Sequence, residues 1–115
     1  MLQVLHPALP GSPGHEHWRV LCGHTDLAAG LFSVVLSNSL SQDQVDAFCN
    51  SLKLFKIGYS WGGPVSLVVP YQLQTMREVW PEHLQRGHVL RFSTGFENVQ
   101  DLQADLDQAF NLAFR

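Results

Sequence analysis

Three sets of residues have types and spacings that could do chemistry. Gly58-Tyr59-Ser60-Trp61-Gly62 is a literal G-x-S-x-G, the pattern in which hydrolases strain a serine onto a strand-to-helix corner beside an oxyanion hole. Such an elbow needs a helix behind the serine, yet Gly63-Pro64 and the apolar run 65–69 predict a turn into a strand. A Ser–acid–His order would also need a late histidine, and only His83 and His88 follow, on an irregular stretch. A nucleophilic serine is therefore not expected. His15, His17, Cys22 and His24 read H-x-H and then C-x-H. Zinc takes nitrogen and sulfur ligands, but structural sites supply them as two spaced pairs with a close cysteine pair, which is missing. These read as scattered polar side chains, and no metal site is expected.

Arg91 is the third candidate. Alternation along residues 89–93 puts Leu90 and Phe92 on one face and Val89, Arg91 and Ser93 on the other. An arginine in that place is either a solvated side chain on the open face of an antiparallel sheet or a planar fork for a carboxylate or phosphate. The residues alone leave both readings open. Gly62-Gly63 allows a positive φ and close backbone approach, which suits a tight turn first and a ligand second.

These residues must be positioned by elements legible in the pattern. Val4 and Leu5 predict a short strand, Pro7 to Gly14 an irregular stretch, residues 15–21 a short helix and 23–30 a loop. Residues 31–36 are β-branched and aromatic and predict a strand. Ser41 with Gln44 makes a capping box, and Val45, Phe48, Cys49, Leu52 and Phe55 follow at helical period, so a helix is expected to run on towards Gly58. Residues 57–61 read as short and extended, 62–64 as a turn, and 65–69 as a strand stopped by Pro70. Leu73, Met76, Val79 and Trp80 predict a helical turn or two before Pro81, and 89–94 a strand. Asn98 then caps a last helix, with Asp101 at its positive end and Val99, Leu102, Leu106, Ala109, Phe110 and Ala113 along one face. Asp101, Asp105 and Asp107 read as its solvated face. Tight turns between strands exclude an all-parallel sheet, so the fold class is α+β: a small, mainly antiparallel sheet with helices packed on one face.

Composition narrows the function classes. With 115 residues the chain is one domain's length. Seven Lys+Arg against ten Asp+Glu give a net charge of −3, and no basic stripe exists to neutralise phosphates, so no nucleic acid is expected as a partner. Neither a polybasic run nor an apolar stretch near the ~20 residues of a bilayer span occurs, so no membrane is expected either. The first residues lack the positive start of a signal peptide, and Cys22 and Cys49 show no C-x-x-C spacing; both point to a reducing, cytoplasmic compartment. Charged residues make up only 15%, against roughly 25% in an ordinary soluble domain, which suggests that a partner covers part of the surface.

Four separated motifs then become informative together: His6-Pro7-Ala8-Leu9-Pro10-Gly11, Gly30-Leu31-Phe32-Ser33-Val34, the run 54–63 ending Ser60-Trp61-Gly62-Gly63, and Leu90-Arg91-Phe92-Ser93-Thr94-Gly95-Phe96-Glu97-Asn98. In this order they resemble the C-terminal domain of the cystathionine β-lyase branch of the cysteine/methionine-metabolism pyridoxal-phosphate enzymes, over nearly the whole chain. Ser-Trp-Gly-Gly, where other branches tend to carry Ser-Leu-Gly-Gly, points to that branch. The resemblance implies the C-terminal domain architecture of fold-type I pyridoxal-phosphate enzymes. It also implies that Arg91, in the motif R-x-S-x-G-x-E, clamps the α-carboxylate of an amino-acid thioether substrate, that Ser60 adds a hydrogen bond to it, and that Trp61 walls the pocket. Val65 stands where the family usually has an acidic residue, and Asn98 where an aspartate is common.

The same resemblance places the cofactor, pyridoxal phosphate, on a larger preceding domain with a Schiff-base lysine. Lys53 and Lys56 are the only lysines here, and no phosphate loop lies near them, so neither a catalytic lysine nor a cofactor-binding residue is expected within 1–115. The chain reads as a single C-terminal domain whose larger cofactor domain is absent, part of a homo-oligomer when whole and inactive alone. The alternative is a stand-alone α+β binding module that self-associates through its apolar face.

Overall fold

The computed structural model describes residues 1–24 and 27–115. The loop expected over 23–30 includes Thr25 and Asp26, which lie outside the described residues. The elements run β1 (Gln3–Leu5), α1 (His15–Cys22), β2 (Leu31–Ser37), α2 (Gln42–Ser51), β3 (Lys56–Ile57), β4 (Leu67–Tyr71), α3 (Leu73–Met76), β5 (Gly87–Ser93) and α4 (Val99–Phe114). The strands form one sheet in the order β1-β2-β5-β4-β3. Every pairing is antiparallel except the two-residue β3–β4 pair, which is parallel. This is the α+β, mainly antiparallel architecture expected. No helix among the described residues is long and apolar enough to cross a membrane.

β5 lies at the centre, paired with β2 on one side and β4 on the other, and most of its residues are buried. Leu90 and Phe92 point towards α2 and α4 and join Val34, Leu36, Phe48, Phe55, Val68 and Leu102 in the main core. Phe55 meets Phe92 edge to face with ring centroids 5.3 Å apart, and Phe48 packs on Phe110 at 4.7 Å. Edge-to-face and tilted contacts of this kind suit the quadrupoles of the rings. On the opposite face Val35, Val69 and Val89 are buried, while Tyr71, Ser33 and Val89 share a cleft with Leu73, Met76 and Leu84 of the 72–86 segment. So the two long helices cover one face, as expected, but the short α3 lies over the other, which corrects the expectation that all helices share one face.

Both long helices start as the sequence predicts. Ser41 Oγ accepts from Gln44 N at 3.2 Å while Gln44 Oε1 accepts from Ser41 N at 3.0 Å, a complete capping box. Asn98 Oδ1 accepts from Gln100 N and Asp101 N. The end of α2 differs from expectation: it stops at Ser51, short of Leu52 and Phe55. Its successor residues give their N–H groups to a side chain instead of to the helix. Asp105 accepts from Lys53 N and Leu54 N at 2.8 Å and from Phe55 N at 3.2 Å, and Gln108 Nε2 donates to the Ser51 carbonyl at 2.6 Å. Asp105 is thus buried and structural, not part of a solvated face. Burial pushes its carboxyl up, but the three N–H groups and the Gln108 amide outweigh that and hold it below the ordinary aspartate value of 3.8.

The strand after the Gly62–Pro64 turn also corrects the expectation. It starts at Leu67 and runs through Pro70 to Tyr71. Ser66 and Val68 turn their carbonyls towards β3, accepting from Lys56 N and Gly58 N. Backbone groups alternate sides, so the missing N–H of Pro70 faces the same way, beyond the end of β3, where no ladder bond is lost.

Candidate active site around Arg91

The motif Arg91-x-Ser93-x-Gly95-x-Glu97 is a row of latches on the 58–66 loop. Arg91 Nη2 donates to the Tyr59 carbonyl and, at 3.4 Å, to the Ser60 carbonyl. Ser93 Oγ accepts from Gly62 N at 3.1 Å, and Gly62 has the positive φ of 76° that this turn requires. A Cβ on Gly95 would stand 2.2 Å from the Pro64 carbonyl oxygen, so only glycine lets the two backbones meet. The Glu97 carboxylate accepts from Ser66 N at 2.9 Å and from Ser66 Oγ at 2.6 Å, and Ser66 Oγ accepts from Gly95 N at 2.8 Å. Those Ser66 bonds hold the Glu97 carboxyl below its ordinary value. Val65 beside them is partly exposed, and hydrogen bonding at the turn is carried by Ser66 and Glu97 without it.

Arg91 therefore stands at a built site. Its register partners are Ser33 on β2 and Val69 on β4, which share its face of the sheet. Its guanidinium carbon lies 5.3 Å from the Trp61 ring centre and 5.7 Å from that of Tyr71, both within cation–π range. Its Nε is buried and has no hydrogen-bond partner among the described residues. A carboxylate brought to this nitrogen would accept a charge-assisted hydrogen bond from it. A recess of about 260 Å³ opens between Trp61 and Gly62 on one side and Gly30, Leu31, Ser93 and Thr94 on the other. A second cleft, of about 530 Å³, runs under Tyr71 past Ser33 and Val89.

Of the expected site residues, the structure gathers Arg91, Ser60 and Trp61 in one place. Ser60 meets the guanidinium through its carbonyl, and it and Trp61 are both exposed. No helix stands behind Ser60; the chain turns at Gly62–Pro64 into β4, as the sequence predicts. His15, on α1, donates from Nδ1 to the Pro7 carbonyl at 2.8 Å and stacks on Trp18. No three His, Cys, Asp or Glu side chains gather for a metal among the described residues. Sequence reasoning gave no role to Ser93, Gly95 and Glu97, although they lie in the quoted motif. It gave none to Tyr71 either, whose signal was hidden by Pro70.

The chain's own residues do not fit a pyridoxal-phosphate site. Lys56 Nζ is bonded to the Lys53 carbonyl at 2.7 Å, and Lys53 sits in the loop held by Asp105. The N-termini of α2 and α4, which could cradle a phosphate, are closed by their own Ser41 and Asn98 caps.

A family model for the Cys/Met metabolism PLP-dependent enzymes matches residues 1–111. Cystathionine beta-lyase MetC of Escherichia coli is 40% identical over 94% of the chain, and the chain spans 27% of its length. An L-alanine/L-glutamate racemase of Wolbachia pipientis is 35% identical over 93% of the chain, which spans 26% of that protein. Among solved structures, metB of Corynebacterium glutamicum superposes with a TM-score of 0.71 at 31% identity, over 96% of this chain and 28% of its own. The chain thus covers about a quarter of these relatives, and it belongs to the family of Cys/Met-metabolism PLP-dependent enzymes.

Proposed function

We propose that this chain is the C-terminal, substrate-carboxylate-binding domain of a pyridoxal-phosphate-dependent carbon–sulfur lyase. Whole, the enzyme would cleave cystathionine by β-elimination to homocysteine, pyruvate and ammonia, as a homo-oligomer in the cytoplasm. The single observation that carries the reading is the Arg91 fork with a buried, unpartnered Nε at a site walled by Trp61. The relatives' substrates support it. Cystathionine, alanine and glutamate differ in their side chains and share an α-carboxylate, and the fork is suited to that common group. Arg91 would hold the carboxylate, Ser60 would add a hydrogen bond to it, and Trp61 would exclude water from one side. The bond-breaking chemistry belongs to the cofactor on a larger domain; this chain contributes orientation.

The test is binding of L-cystathionine in the whole enzyme. Arg91→Ala removes two charge-assisted bonds of about 1.5 kcal/mol each, and should weaken binding by about 100-fold. Unchanged kcat/KM in that variant would take Arg91 out of the site.

A further inference from the structure

We propose that Tyr71 is a positioning residue for Arg91: its ring, fixed on β4, and the Trp61 ring, carried on the 58–66 loop, together confine the guanidinium. The inference rests on the reading of Arg91 as the carboxylate fork and adds a residue that the fork depends on.

Three observations carry it. Tyr71 pairs with Val89 and Val69 with Arg91 in the β4–β5 ladder, so Tyr71 is the diagonal neighbour of Arg91 on the same face. That diagonal spans roughly 7–8 Å, within reach of an aromatic ring, and the Arg91 guanidinium carbon does lie 5.7 Å from the Tyr71 ring centre. Thirdly, the two walls differ in how they are held. Trp61 sits on a loop and is 61% exposed, whereas Tyr71 is half-buried in a paired strand. Tyr59 closes on the same spot, its ring 6.5 Å from that of Tyr71 while its carbonyl accepts from Arg91.

An arginine side chain has four rotatable bonds, and a fork is useful only when its plane is fixed before the ligand arrives. The carbonyls of Tyr59 and Ser60 fix one nitrogen, Nη2. One nitrogen does not fix a plane. The ring of Tyr71, on a strand paired with β5, supplies a second constraint. Only because β4 continues through Pro70 does a side chain occupy that position. The contact is one of ring face to cation, so the ring is needed and the phenol is not.

The experiment is a nitrogen-15 spectrum of the chain that resolves the Arg91 Nε–H, assigned by its loss in Arg91→Lys. Exchange of that proton with water reports how firmly the guanidinium is held, and titration with propionate, a bare carboxylate, reports the fork. Tyr71→Phe should keep slow exchange and wild-type propionate affinity to within a factor of two. Tyr71→Leu should speed Nε–H exchange by tenfold or more and weaken propionate about fivefold, with the sheet amides and the melting temperature close to wild type. If Tyr71→Leu fails to fold, Tyr71→Val, a better strand former, takes its place. Slow exchange and unchanged affinity in the leucine or valine variant would overturn the proposal, as would equal losses in the phenylalanine variant. If the wild type itself takes up no propionate, the carboxylate reading falls, and the exchange comparison still decides the role of Tyr71.

Discussion

Asp105 is buried and Arg91 half-buried, and these two charged side chains serve opposite ends. Asp105 is saturated. Three backbone N–H groups and the Gln108 amide converge on its carboxylate, and it ends α2 by drawing off the donors that would have continued it. Asp105→Ala leaves those N–H groups without an acceptor, and at about 1–3 kcal/mol for each buried orphan the loss should be about 3 kcal/mol or more in denaturant unfolding. The pH dependence follows from the direction of its shift. Because its folded value lies below 3.8, its stabilisation is complete above that value and is lost as pH falls through the folded one. Acid unfolding of the wild type should therefore include a step below about pH 4 that Asp105→Asn lacks. Arg91 is the reverse case: two carbonyls hold its Nη2, while its Nε has no partner among the described residues. Arg91→Lys should not restore binding lost in Arg91→Ala, since a point charge cannot make two parallel bonds to a carboxylate. A lysine variant with wild-type carboxylate affinity would remove the need for the fork.

At the scale of elements, the end of β5 and the loop it carries behave as one unit, because Arg91 holds Tyr59 and Ser60, Ser93 holds Gly62, and Gly95 and Glu97 both bind Ser66. Gly95→Ala tests this directly. The added Cβ would meet the Pro64 backbone at 2.2 Å, and neither partner is a flexible side-chain tip. The loop must shift, so acrylamide should quench Trp61 more readily, while the α2–α4 core keeps its helical signal. Unchanged quenching would uncouple the two segments. Much of this was legible in the sequence. Capping residues, apolar period and alternation predicted α2, α4, β2 and β5, and put Leu90 and Phe92 opposite Arg91, because those signals are local. What was missed depends on contacts distant in sequence. The end of α2 is set by Asp105, fifty residues on, and the continuation of β4 through Pro70 by the shortness of β3. Of the candidate site, Arg91, Ser60 and Trp61 stood out through the motif, whereas the place of Tyr71 beside Arg91 became visible only once the register of β4 against β5 was known.

Across the whole molecule the Arg91 site is rimmed by apolar side chains that stay exposed among the described residues. Tyr59 is 74% exposed and Phe96 86%, and Ile57, Trp61 and Val65 are exposed beside them on the same two segments. Those segments are tied together by the Phe96 N to Pro64 carbonyl bond at 2.9 Å, so the side chains form one rim. A rim of this kind around a polar centre marks a surface meant for a partner, and the low charge content of the chain agrees with it. The proposed function supplies that partner as the larger cofactor domain, since the chain spans only 27% of its lyase relative and holds no fitting cofactor lysine. Mixed with pyridoxal phosphate and L-cystathionine, the chain alone should release no pyruvate. Joined behind the preceding three-quarters of the E. coli lyase, in place of that protein's own last quarter, it should restore pyruvate release, and the same chimera carrying Arg91→Ala should not. Pyruvate from the isolated chain would show that it needs no second domain, and a chimera indifferent to Arg91 would show that the rim surrounds something other than the substrate's carboxylate.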